Sequence, residues 1–187
     1  MRSRVELARH LLEHAYRTAT DNLAGLSLDE ALFVAPGGYR SVLGTLKHTA
    51  AWSHVYYSFA FDPAPRGWTE VGWPRGLRDR VEPSPSYLRD VIAWFAQSQE
   101  LWLRSLGAVK EEQLDQLRPL HGGPTARLYD IVVMVASHYL YHAGEINQLL
   151  AIQRGEAWEE GEEVEENHIA TERHRVTPPW RRQELEA

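Results

Sequence analysis

Residues 125–154 constrain the fold more than any other stretch. Leu128, Ile131, Val132, Val135, Tyr139, Ile146, Leu149 and Leu150 recur there at helical spacing. That interval gathers side chains on one face of an α-helix and scatters them over both faces of a strand. Gly155 follows where a helix C-terminal cap belongs. This is the longest and best-patterned segment, and the spacing predicts a helix over 125–154.

Three more segments read the same way. A first helix starts near Ser3, whose spacing to Glu6 is that of a capping box. Its predicted inner face is Leu7, Leu11, His14, Ala15 and Thr18. A second starts at Ser41, a good N-cap, and runs through Leu43, Leu46, Ala50, Ala51 and Val55 to about Phe59. A third starts at Ser84 with Pro85 in the first turn, where the missing N–H costs nothing, and stops at Gly107. A short helical piece is expected at 111–117 and a turn at His121-Gly122-Gly123-Pro124. From Asp62 to Pro85, prolines 63, 65, 74, 83 and 85 and the punctuating residues 67, 68, 72 and 73 exclude a continuous helix. A connection of that length suits parallel neighbours. The expected fold is all-α, a four-helix bundle with a long crossover connection between helices two and three. It occupies residues 1–155, followed by an acidic, polar tail over 156–187.

Composition narrows the function. A length of 187 residues with 43% hydrophobic content fits one domain with a substantial core. The formal net charge of −6 disfavours nucleic-acid backbones and anionic membranes. The longest strongly apolar run, 131–136, is far short of the about 20 residues a membrane span needs. Met1-Arg2-Ser3-Arg4-Val5-Glu6 leads into no apolar run, so no signal peptide is expected and the protein reads as cytoplasmic. There is no cysteine, which removes disulfides, thiolate nucleophiles and cysteine-ligated zinc together.

Histidine carries the chemical signal. His138 and His142 are four apart beside the apolar stripe, stacked closely enough to share an ion. The same spacing also suits two half-buried histidines bonded to neighbouring polar groups. An open catalytic metal site needs a third protein ligand, and His48, in the first half of helix two, is the best candidate. His54 points roughly 240° away around that helix and is expected at the surface. His10 and His14 repeat the four-residue spacing without a third ligand beside them. His121, His168 and His174 fall in a turn and the tail. Glu145, one turn after His142, reads as an acceptor for a ligating histidine, a catalytic group acting on a metal-bound water, or a plain surface glutamate. Trp52, Tyr56 and His14 are candidates for lining the pocket.

Ser41-Val42-Leu43-Gly44-Thr45-Leu46-Lys47-His48 and His138-Tyr139-Leu140-Tyr141-His142-Ala143-Gly144-Glu145-Ile146-Asn147-Gln148-Leu149-Leu150 resemble the DinB-like superfamily, also described as YfiT-like metal-dependent hydrolases. The resemblance covers roughly residues 1–155. It implies that His48, His138 and His142 bind zinc or nickel, and that the bundle is a homodimer. Some relatives transfer or isomerise a small-molecule substrate with a low-molecular-weight thiol. A common relative has Arg where this chain has Ala143, a change in charge near the pocket. The implied function is a metal-dependent transferase or isomerase acting through a metal-bound thiol, which must come from outside a cysteine-free chain. Its rivals are a hydrolase using metal-bound hydroxide and a non-catalytic, stress-associated metal-binding bundle.

Overall fold

The computed structural model describes residues 2–76 and 81–155. The chain is mostly helical: α1 Arg4–Thr20, a short α2 Leu28–Leu32, α3 Val42–Phe61, α4 Pro85–Gly107 and α5 Leu128–Arg154. Helix α1 packs chiefly on α5, and α3 packs on both α4 and α5. No helix is long and apolar enough to cross a membrane among the described residues. The boundary expected near residue 155 and the acidic tail, with His168 and His174, lie outside the described residues.

The helix starts follow local chemistry. Ser3 and Glu6 form a reciprocal capping box, with Ser3 N–H donating to Glu6 Oε2 at 2.7 Å and Glu6 N–H to Ser3 Oγ at 3.2 Å. Ser27 and Glu30 repeat it at α2. That short helix was not among the expected segments, although Ser27-x-x-Glu30 carries the same signature as Ser3-x-x-Glu6. Ser41 Oγ accepts from Gly44 N–H, and Ser84 Oγ from Tyr87 N–H ahead of Pro85 in the first turn. Each such cap stabilises its helix by about 1 kcal/mol. At the other end of α5, Gly155 takes the left-handed conformation at φ 63°.

Two helix faces differ from expectation. The buried face of α1 is Ala8, Leu12, Ala15 and Ala19, while Leu7 is 48% exposed. Its alanines, rather than the leucines at 7 and 11, mark the contact, because small side chains let α1 approach its partner closely. Helix α3 buries residues around nearly its whole circumference, among them Leu43, Leu46, Ala50, Ser53, His54, Val55 and Ser58. A helix packed on several sides has little solvent face, so the rotation that separates His54 from His48 carries it into a second interior.

The irregular segments also differ. The residues after α4 form a 3₁₀ turn, Glu111–Asp115, then an antiparallel hairpin of β1 Leu117–Pro119 and β2 Thr125–Arg127. Gly122 and Gly123 turn it with φ of 94° and 103°, a conformation that favours glycine. Residues 125–127 therefore pair as a strand, and α5 starts at Leu128. In the connection from α3 to α4, Val71 and Trp73 are buried. Trp73 Nε1 donates to the Trp68 carbonyl at 2.7 Å, and Arg66 N–H to Ser58 Oγ at 2.7 Å. Trp68 and Trp73 thus pack the connection onto the helices instead of merely interrupting a pattern. The bulkiest fully buried side chains among the described residues are Trp102, Tyr87, Tyr139 and Phe95; burying a side chain of Phe size contributes roughly 1.5–3 kcal/mol. Ser53 joins α3 to both neighbours, its hydroxyl bonded to Tyr139 and its carbonyl accepting from Trp102 Nε1 at 3.2 Å.

Candidate metal centre

Helices α3 and α5 bring His48, His138 and His142 together. One ring nitrogen from each lies within 4.8 Å of the other two. The ring centroids are 5.3 Å apart for His48 and His138, 4.9 Å for His48 and His142, and 4.3 Å for His138 and His142. His138 and His142 reach one point because they sit one turn apart on α5. His48 reaches it because α3 packs against that helix.

His142 is buried at 4% exposure, and His48 and His138 are half-buried. Burial pushes the basicity of His138 down to about 3, and the neighbouring imidazoles and Arg40 push the same way. Burial also lowers that of His142, against the opposing pull of Glu145. Both rings are therefore neutral at pH 7, the form that offers a lone pair to a cation. Glu145 selects which nitrogen offers it. His142 Nδ1–H donates to Glu145 Oε2 at 2.6 Å, leaving the Nε2 lone pair directed at His138 Nε2, 2.9 Å away. This is the carboxylate–histidine arrangement that orients metal ligands. Tyr141 also bonds to Glu145.

The donor set fits a divalent ion. Nitrogens about 2.05 Å from a tetrahedral zinc stand about 3.3 Å apart. The His138–His142 pair is already slightly closer than that, so adjustments of tenths of an ångström on α5 suffice. The set is all nitrogen with no thiolate, and it suits zinc, nickel and similar ions.

Aromatic rings wall the centre. Trp52, one turn after His48 on α3, lies 6.3 Å from its ring, and Trp68 lies 5.9 Å away. Tyr56 packs on Trp52 at 5.3 Å. His121 is exposed, but its ring sits 5.2 Å from Trp52. The sequence offered no periodic signal for Trp68, which arrives from the irregular connection. His14 does not join this group. It is exposed on α1, with its carbonyl accepting from Thr18 Oγ1. Tyr16 is the α1 residue that meets the interior, 5.0 Å from Phe95 and 6.4 Å from Tyr139. His10 is exposed as well. His54 is buried apart from the centre, stacked on Trp94 at 4.6 Å with Nε2 bonded to the Trp94 carbonyl at 3.0 Å. Ala143 is buried at 2% exposure.

Comparisons with known proteins agree with this architecture. The crystal structure of a conserved protein from Enterococcus faecalis superposes with a TM-score of 0.59 at 20% identity, over 83% of this chain and 99% of that one. At that identity the likeness speaks for the fold alone. No curated protein matches the chain. The model of the DinB superfamily matches residues 11–146, well over half of the sequence and all three clustered histidines, and the chain belongs to that superfamily.

Proposed function

We propose that this protein is a metal-dependent enzyme in which His48, His138 and His142 hold one zinc or nickel ion. On this reading it transfers or isomerises a small substrate with a low-molecular-weight thiol. The observation that carries the reading is the convergence of three ring nitrogens from two helices within 4.8 Å. A divalent ion on three neutral ligands keeps its full charge and favours deprotonation of a thiol or water beside it. The chain contributes the rest. Desolvation keeps His138 and His142 unprotonated. Glu145 is a positioning residue that holds the His142 tautomer. Trp52, Tyr56 and Trp68 exclude water from one side. A chain without cysteine must take its thiol from solution.

A four-helix bundle with a long crossover, a homodimer and a cytoplasmic setting complete the proposal, on the strength of the four long helices and the superfamily's habits. A hydrolase with Glu145 as base is less favoured, because that carboxylate is already bonded to His142.

Metal analysis of purified wild type beside His48→Ala tests the centre. About one equivalent in the wild type and loss in the variant are expected; an equal content in both sinks it. A transfer assay with several low-molecular-weight thiols, with and without metal, tests the chemistry. No metal-dependent turnover with any of them refutes the thiol reading.

A further inference from the structure

Arg40 stands one residue before the Ser41 cap of α3 and is half-buried. Its place is set by Gly44, where an added Cβ would meet Arg40 Cγ at 2.8 Å and Cδ at 3.7 Å. The stem of Arg40 therefore lies along the face of α3 that carries Gly44, His48 and Trp52, which share that face at intervals of four. Its guanidinium rests 5.0 Å from the ring centroid of Tyr39, itself 85% exposed. The Gly44 contact thus sets Arg40 on the side of α3 from which His48 joins the other two histidines, and its positive charge acts in the same direction on His138 and His142 as their burial does. No carboxylate pairs with Arg40 among the described residues. Glu145, the acid of this neighbourhood, is engaged by His142 and Tyr141.

A half-buried cation on the face that carries His48 repels a metal ion held there, a cost that a bound anion would offset. A guanidinium fork matches a planar carboxylate with two parallel N–H···O bonds. Further along the same helix face, Trp52 and Trp68, 5.3 Å apart, present aromatic surface beside His48. Charge and planar apolar surface thus flank the centre along one line of α3.

We propose that Arg40 is a substrate-binding residue that takes the carboxylate of a small organic acid, whose planar apolar part lies against Trp52 and Trp68 beside the histidine centre. This deepens the metal-enzyme reading and rests on it for the placement of the reacting group. The carboxylate recognition itself belongs to Arg40.

The test uses the full chain and benzoate, with uncharged benzamide as the control of the same shape. Zinc affinity is first measured by competition with a chromophoric chelator, in wild type, Arg40→Met and Gly44→Ala. Benzoate and benzamide are then titrated by calorimetry into the zinc-loaded and metal-free forms. Benzoate is expected to bind the wild type at least about tenfold more tightly than Arg40→Met, the loss of one charge-assisted contact. Benzamide should not distinguish the two, and zinc affinity should not fall in Arg40→Met. Gly44→Ala favours helix by propensity, yet it should weaken benzoate by displacing the Arg40 stem. Equal benzoate affinity in wild type and Arg40→Met, or no benzoate binding by the wild type, overturns the proposal. Failure of the wild type to bind zinc is a separate result that refutes the metal reading, and the metal-free benzoate comparison still decides the role of Arg40.

Discussion

Helix α3 carries two histidines six residues apart, and they arrive at opposite chemistry. His48 meets two more imidazoles from α5. His54 meets a tryptophan face and a backbone carbonyl. Both regions lie inside the protein, and aromatic rings connect them: His48 to Trp68 at 5.9 Å, Trp68 to Trp73 at 4.8 Å, Trp73 to Trp94 at 5.1 Å, and Trp94 to His54 at 4.6 Å. Burial weakens basicity in both, pushing His54 to about 4 and His138 to about 3. A buried, weakly basic histidine is therefore not a ligand by virtue of burial. What separates the two regions is how the ring nitrogens are used. His54 commits Nε2 to a carbonyl and has no second imidazole beside it among the described residues, whereas His142 commits Nδ1 to Glu145 and aims Nε2 at another ring.

The largest expected effect breaks the comparison outright. Removing one of three protein ligands should cost about a quarter of the about 10–16 kcal/mol typical of a four-ligand zinc site, or a hundredfold or more in affinity. His138→Ala should lose zinc to that extent in a chelator competition, while His54→Phe keeps wild-type affinity. Equal losses in the two variants would mean that the two regions do not differ as their geometry says.

Acid sharpens the contrast next. His54 sits at about 4 in the folded protein against about 6.5 in an unfolded chain. Burial is the main cause, outweighing the Trp94 carbonyl that favours the charged form. The unfolded state therefore binds the proton first as pH falls. Stability contributed by keeping His54 neutral is whole above about 6.5, declines between about 6.5 and 4, and is gone below that, on the order of 3 kcal/mol in all. Urea midpoints of the metal-free protein between pH 7 and 4 should fall less steeply for His54→Phe than for wild type. Parallel curves would place the acid sensitivity elsewhere.

This contrast also marks where the sequence was readable. His48, His138 and His142 were legible because each stands in a regular helix, where spacing fixes direction. His54 was misplaced for a related reason: spacing gives its angle on α3 but not how many sides of that helix are covered. His14 was misplaced because leucines at 7 and 11 outweighed the alanines that mark the contact of α1. Trp68 had no readable signal, since its position depends on how the connection folds back through Trp73. Arg40 had none either: it stands before the Ser41 cap, outside α3, so spacing does not fix its direction, and only the contact of its stem with Gly44 shows which face it follows.

The smallest effect tests the reason for the difference rather than the difference itself. If His142 is a ligand because its Nδ1–H is held, then releasing that hydrogen should loosen the centre without removing a ligand. Second-sphere partners of this kind typically contribute about 10–100-fold to metal affinity. Glu145→Gln keeps an oxygen that accepts from Nδ1 but gives up its charge, so a loss near the lower end, about tenfold, is expected. Glu145→Ala leaves the ring free to turn and should approach the upper end. Tyr141→Phe leaves the Glu145 bond to His142 in place and should change less than either. Chelator competition across the three variants reads that order directly. Zinc binding by Glu145→Ala at wild-type affinity would show that ring proximity alone makes this centre, and that the hydrogen-bond partner of a buried histidine does not separate His142 from His54.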